Sequence, residues 1–195
     1  MRLLNIISQQ LVKSVKSKSD FLKMIGVTFG LLLLSACSSS DINDYQGTTP
    51  NLDLKTFFDG KLTAHGTVQD YSDKVTRRFT VEMVASWQGN QGEIKEWFIY
   101  DDGEKQIRIW NITDLGNGKY SGTANDILGE AQGQAVGMAL QWQYEMLLPV
   151  DDTEYQVTFD DWMFLVDENT IINRSDIIKF GVTMAEVTLV ISKVE

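Results

Sequence analysis

The sequence predicts an all-β domain of about eight to nine antiparallel strands, closed as an up-and-down barrel. It is preceded by an export signal and a polar tether. Three observations carry this. Apolar and polar residues alternate with a period of two over most of residues 61–194. Turn-forming pairs such as Asp102-Gly103 and Asn117-Gly118 recur between the alternating runs. The leader is basic and the remainder acidic. Of 17 Lys+Arg and 27 Asp+Glu, five and one lie in residues 1–36, which leaves 12 against 26 from Cys37 onward, a net of −14.

That asymmetry belongs to an exported protein, because a basic leader is retained on the side of synthesis. The acidic body would repel a phosphate backbone, so no nucleic-acid partner is expected. It would also repel an anionic membrane surface, so attachment requires an anchor. The 159 residues from Cys37 suffice for one domain with a real core. With a single cysteine no intramolecular disulfide forms, so the fold rests on packing and backbone hydrogen bonds.

Residues 1–23 read as a basic n-region, and Met24–Leu34 as an apolar h-region of 11 residues. That is too short for a permanent span, which needs about 20 apolar residues. Leu34-Ser35-Ala36-Cys37 resembles the bacterial lipoprotein signal. The resemblance implies diacylglyceryl transfer to the Cys37 sulfur, cleavage before Cys37 and acylation of the new amine. Residues 1–36 are then a signal peptide. Ser38 at the next position is the residue type that implies sorting to the outer membrane, with the chain held on its periplasmic face. Acyl chains supply about 0.8 kcal/mol per buried methylene, enough for stable anchoring. Residues 37–53 read as a lipidated flexible tether, polar and with little to bury. The single domain is 54–195.

Leu54–Gly60 opens the domain as a short helical turn, with Phe57 and Phe58 placed to plug one end of the fold. Leu62, Ala64, Gly66 and Val68 then alternate with polar neighbours. Val75, Arg77, Phe79, Val81, Met83, Ala85 and Trp87 share the face of a second strand. Ile94–Tyr100, Gln106–Ile112 and Lys119–Ala124 follow, separated by glycine turns. Ala131–Leu148 reads as one long strand with small residues on one face and Leu140, Trp142, Tyr144 and Met146 on the other, ended by Pro149. Tyr155, Val157 and Phe159 lead a strand toward Trp162 and Phe164. Ile171–Arg174 reads as a short strand or bend, and Lys179–Val194 as the last strand. Short meander connections favour a lipocalin-like barrel over a sandwich, and a barrel of this size holds one small ligand.

Chemistry-bearing residues are few. His65 is the lone histidine and reads as an exposed strand residue, so neither a Ser-His-Asp set nor a zinc site can be assembled. No metal and no cofactor are expected. Asp101-Asp102 and Asp151-Asp152 sit at turns. Asp160-Asp161 continues an apolar strand, so one of its carboxylates points inward and needs a cation or several donors. Arg77, Arg108 and Arg174 are the candidate cations. The five tryptophans Trp87, Trp97, Trp110, Trp142 and Trp162 either fill the core or line a pocket. The candidate ligand-binding set is Arg108, Trp110, Trp142, Asp160, Trp162 and Arg174.

Phe58-Asp59-Gly60-Lys61-Leu62, Glu96-Trp97-Phe98, Arg108-Ile109-Trp110, Phe159-Asp160-Asp161-Trp162-Met163, Asn173-Arg174 and Lys179-Phe180-Gly181 together resemble the bacterial lipoprotein family catalogued as domain of unknown function 3833. The resemblance covers nearly all of 54–195, and the Phe-Asp-Asp-Trp-Met run is its most specific part. It implies a proteobacterial envelope protein with a lipid-related role, and no assigned activity. Three functions stay open. The first is a binding module for a lipid or other apolar molecule, with Arg108, Asp160 and Arg174 at its polar head. The second is a lipid-modifying enzyme with Asp160 or Asp161 as general acid/base. The third is an assembly factor that docks an envelope partner through an apolar patch.

Overall fold

The computed structural model describes residues 40–150 and 153–194. The expected signal peptide, the Cys37 anchor and the Asp151-Asp152 pair lie outside the described residues. Ten strands follow one another: β1 (Gly60–Asp70), β2 (Val75–Gln88), β3 (Gln91–Tyr100), β4 (Lys105–Gly116), β5 (Lys119–Ala124), β6 (Ile127–Val136), β7 (Ala139–Val150), β8 (Thr153–Asp167), β9 (Thr170–Lys179) and β10 (Val182–Lys193). Each pairs antiparallel with the next, and β10 pairs back onto β1, so the sheet closes as an up-and-down barrel with no free edge.

The period of two fixes which residues point in. On β2, Phe79, Val81, Met83 and Ala85 are buried while Thr80, Glu82, Val84 and Ser86 are exposed. The register carries this parity around the barrel: Ala64 faces Val81 on one side and Ile191 on the other. A one-residue slip would turn every one of these side chains into solvent. Register irregularities interrupt the pairing at Val68/Gln69, Asp114/Gly116, Leu128/Gln132, Leu165/Asp167 and Thr183/Ala185. Such bulges add twist and let a sheet curl shut.

The barrel has ten strands where eight to nine were expected. The extra count comes from 131–148, which is a hairpin and not one strand. β6 and β7 are joined at Gly137-Met138, so Gly133 pairs with Trp142 and Ala135 with Leu140. Gly137 has φ +55°, and a Cβ there would strike the Tyr45 carbonyl oxygen. Small residues on β6 sit opposite large ones on β7. That distribution mimics two faces of a single strand when read along the chain. Ile171–Arg174, expected as a short strand or bend, lies within the ten-residue β9.

A second correction concerns the tether. Ile42–Tyr45 is a 3-10 turn, and Ile42 and Leu52 are buried. The Leu52 amide donates to the Gly137 carbonyl at 2.8 Å, and Thr48 Oγ1 accepts from the Met138 amide at 2.9 Å. Tyr45 packs its ring 5.5 Å from Phe164 and 6.0 Å from Trp162. Residues 42–52 are therefore a strap over the β6–β7 turn. Polar composition had hidden three well-spaced apolar anchors, Ile42, Tyr45 and Leu52.

The strap leads into the single-turn helix α1 (Leu54–Phe57), capped by Asp53, whose carboxylate accepts from the Thr56 amide at 2.7 Å. Phe57 and Phe58 are buried and contact edge-on at 5.1 Å. The Trp87 indole N–H donates to the Phe58 carbonyl at 2.7 Å, and Lys193 Nζ donates to the Thr56 carbonyl at 2.9 Å. These contacts seal the barrel at the end that also holds the β2–β3, β4–β5, β6–β7 and β8–β9 turns. The expected plug is present.

Candidate functional site

Above the plug the interior is hollow. A cavity of about 780 Å³ has Leu54 and Phe58 as its floor and reaches Val68, Arg77, Glu104 and Leu148 toward the opposite end. Its wall is mostly apolar, from Phe79, Val81, Ile94, Phe98, Trp110, Leu140, Trp142, Tyr144, Met146 and Phe159 among others. Pockets of this size and lining are typical of small-molecule sites.

The aromatic wall is built by register. Trp142 projects from β7 over Gly133 of β6 and Gly122 of β5; a Cβ at Gly122 would come within 2.9 Å of the indole. The two glycines make room for the ring to lie against the wall. Trp110 meets Trp142 edge-on at 5.5 Å and Tyr144 at 5.3 Å, and Tyr144 stacks on Phe159 at 5.0 Å.

A polar cluster interrupts this wall. Arg108 on β4 is directly opposite Glu96 on β3. Its Nε donates to both oxygens of Asp126 at 3.0 and 2.8 Å, and its Nη2 lies 2.8 Å from Asp126 Oδ2. Asp126 stands in the β5–β6 turn and also accepts from Gln106 Nε2 at 3.0 Å. Such a forked pair is the strong form of an ion pair, and here it is largely shielded from water. Burial works against the Arg108 charge, but Tyr144, Glu96 and Asp126 around it outweigh that and hold it firmly protonated.

On the facing wall, Asp161 of β8 lies between Trp142 of β7 and Ser175 of β9. It is 7% exposed, and its Oδ1 has no hydrogen-bond partner. Burial pushes its carboxyl up to about 7, helped by the charge of Asp160, while Ser175, Arg108 and Tyr144 act the other way. Burial likewise pushes Glu96 up to about 7, against the pull of Arg108. The Tyr144 phenol is raised well above its ordinary value, first by burial and then by Asp161. At the far end Arg77 lies 3.7 Å over the Tyr100 ring and bonds Asp102 at 2.9 Å and Glu104 at 2.6 Å.

Of the six expected ligand-binding residues, Arg108, Trp110 and Trp142 line the cavity. Asp160, Trp162 and Arg174 do not, because they have the other parity and point out of the barrel. Asp160 accepts from Gln141 at 2.7 Å, Gln143 at 3.0 Å and the Trp162 indole at 3.4 Å. Trp162 stacks on Phe164 under the strap. Arg174 pairs with Glu186 at 2.7 Å on the surface. The inward carboxylate of the pair is Asp161, as its spacing from Val157 and Phe159 dictates. Tyr144 lines the cavity, as the Leu140–Met146 face of the sequence reading implies, whereas Glu96 was missed as a site residue although it shares parity with the inward Ile94 and Phe98. Among the described residues no group of three or more His, Cys, Asp or Glu side chains is placed to hold a metal, and no helix is long and apolar enough to cross a membrane.

The fold has a solved counterpart. The structure of the S-type phycobiliprotein lyase CPES from Guillardia theta superposes with a TM-score of 0.50 at 7% identity, over 74% of this chain and 93% of that one. At that identity the likeness concerns the fold alone. Among curated proteins, none matches. Residues 31–193 match the model of the family described as "Protein of unknown function (DUF3833)", and the chain, matched over most of its length, belongs to that family.

Proposed function

We propose that this protein binds a lipid or another apolar small molecule inside its barrel, as a lipoprotein held on the periplasmic face of the outer membrane. The cavity of about 780 Å³ over a sealed floor carries the reading. A barrel kept only for structure gains nothing from an empty interior, because unfilled space forfeits packing energy. The wall offers Trp110, Trp142, Tyr144 and Phe159 as flat apolar surfaces, and the Arg108–Glu96–Asp161 cluster offers a polar contact point. The anchor reading rests on Leu34-Ser35-Ala36-Cys37. Organic extraction of the protein purified from the cell envelope, followed by mass spectrometry, should recover one apolar compound in stoichiometric amount. Protein that yields none, and whose tryptophan fluorescence ignores apolar probes, would refute the binding role. Cys37→Ser should move the chain from the membrane fraction to the soluble periplasm.

A second reading, an enzyme acting on the bound molecule, is favoured by Asp161, a buried carboxyl raised to about 7 inside the cavity. In that case Asp161→Asn would accumulate the bound compound unchanged, and the wild type would release a modified one.

A further inference from the structure

The cavity is unbalanced in charge once its internal pairs are counted. Its lining includes two cations, Arg77 and Arg108. Arg108 is committed to Asp126 through a forked contact, and Arg77 to Asp102 and Glu104. Two carboxyls are left over, Glu96 and Asp161. Their strands, β3 and β8, are five places apart around the ten-strand closed sheet, so the groups face each other across the interior. Asp161 is more than nine-tenths buried with an acceptor oxygen that meets no donor. The Ser175 hydroxyl beside it donates to Asn173 Oδ1 at 3.1 Å. Asn173 in turn directs its amide to the Trp162 carbonyl at 3.4 Å. A buried acceptor left without a donor is costly, and a ligand that supplies one removes that cost.

We propose that Asp161, with Glu96 opposite, forms a subsite for a protonated nitrogen, so that the ligand is an apolar chain or ring system bearing an amine. This rests on the binding role proposed above and names the chemistry of its ligand. A carboxylate or phosphate head would bring a further negative charge between two carboxyls, with the neighbouring guanidinium already bonded. An alcohol can donate to Asp161 Oδ1 but leaves the charge uncompensated. A protonated amine does both.

Three probes of one shape test this on the full lipidated protein: 1-naphthylmethylamine, 1-naphthalenemethanol and 1-naphthoate, titrated calorimetrically at pH 8. The amine should bind at least about tenfold tighter than the alcohol, with the acid weakest. Asp161→Asn should abolish the advantage of the amine and leave the alcohol within about twofold, since a neutral amide still offers a hydrogen bond. Glu96→Gln should act in the same direction and serves if Asp161→Asn does not fold. An acid that binds as tightly as the amine overturns the subsite, as does an amine-to-alcohol ratio unchanged in both variants. In those outcomes the binding role survives, because probes still enter. If none of the three binds, the binding role falls and the subsite with it.

Discussion

The two ends of the barrel interior are built on one alternation and filled in opposite ways. At the sealed end, Leu54, Phe57, Phe58 and Leu62 are buried among apolar neighbours, and the Phe58 and Thr56 carbonyls are tied to Trp87 and Lys193. None of these four side chains is charged. Beyond it the same inward positions hold Glu96, Arg108 and Asp161 around open space. Tight packing stabilises, whereas buried charge and voids cost free energy. The contrast separates the work of holding the fold from the work of holding a ligand. It also says that substitutions at the two ends should differ in size and even in sign.

The sharpest test of that division is Phe58→Ala. Removal of a fully buried aromatic side chain should cost about 3–5 kcal/mol in urea-induced unfolding. The floor of the cavity would also open, so any bound compound should be lost on extraction. A cost below about 1 kcal/mol would show that the plug is not where stability resides.

This plug was legible in the sequence because Phe57-Phe58 precedes a glycine at the start of the first alternating run. The barrel class was legible for the same kind of reason, since Phe79, Val81, Met83 and Ala85 repeat the parity that the structure uses. The polar site was only partly legible. Parity places Arg108 with Trp110, but Asp160-Asp161 offers one carboxylate to each face, and only the count from Phe159 decides between them. Asp126 could not have been assigned, because it reaches Arg108 from a turn that belongs to no alternating run. The strap was missed for lack of a period: Leu52 meets Gly137 85 residues on, and Tyr45 meets Trp162 and Phe164 117 and 119 residues on.

The strap gives the next effect in size. Leu52→Ala should cost about 2–3 kcal/mol, at the low end for a buried leucine, because an edge site can collapse. Hydrogen exchange should show the strap and α1 losing protection first. If residues 42–52 exchange fast already in the wild type, the strap is a tether after all.

The cavity end should respond to pH with the opposite sign from ordinary carboxylates. Asp161 and Glu96 are raised to about 7 in the fold, from ordinary values of 3.8 and 4.5. Between those limits the folded state holds more protons than the unfolded chain, so stability falls as pH rises. It is fully present below the unfolded values and is lost as pH climbs through about 7. Between pH 5 and 8 the loss should be on the order of 2–3 kcal/mol for each of the two carboxyls, seen as a lower Tm at pH 8. Asp161→Asn should flatten the profile and match or exceed the wild type at pH 8. A Tm that rises from pH 5 to 8, equally in both proteins, would show that these carboxyls stay ionised in the fold.

The smallest effect belongs to the rim of the open end. Phe180, in the turn between β9 and β10, is 94% exposed and sits at φ +52°. Its ring contributes almost nothing to the core, and its backbone is held where a side chain is disfavoured. Phe180→Ser should therefore change stability by less than about 0.5 kcal/mol, and Phe180→Gly should raise it slightly. Lys179 offers the internal control, because its ammonium lies 3.5 Å from the Tyr155 ring centre and would remain in place. Should Phe180→Ser cost as much as Leu52→Ala, the open rim would be holding the fold together as firmly as the strap. The sealed end would then no longer be the half of the barrel that carries its stability.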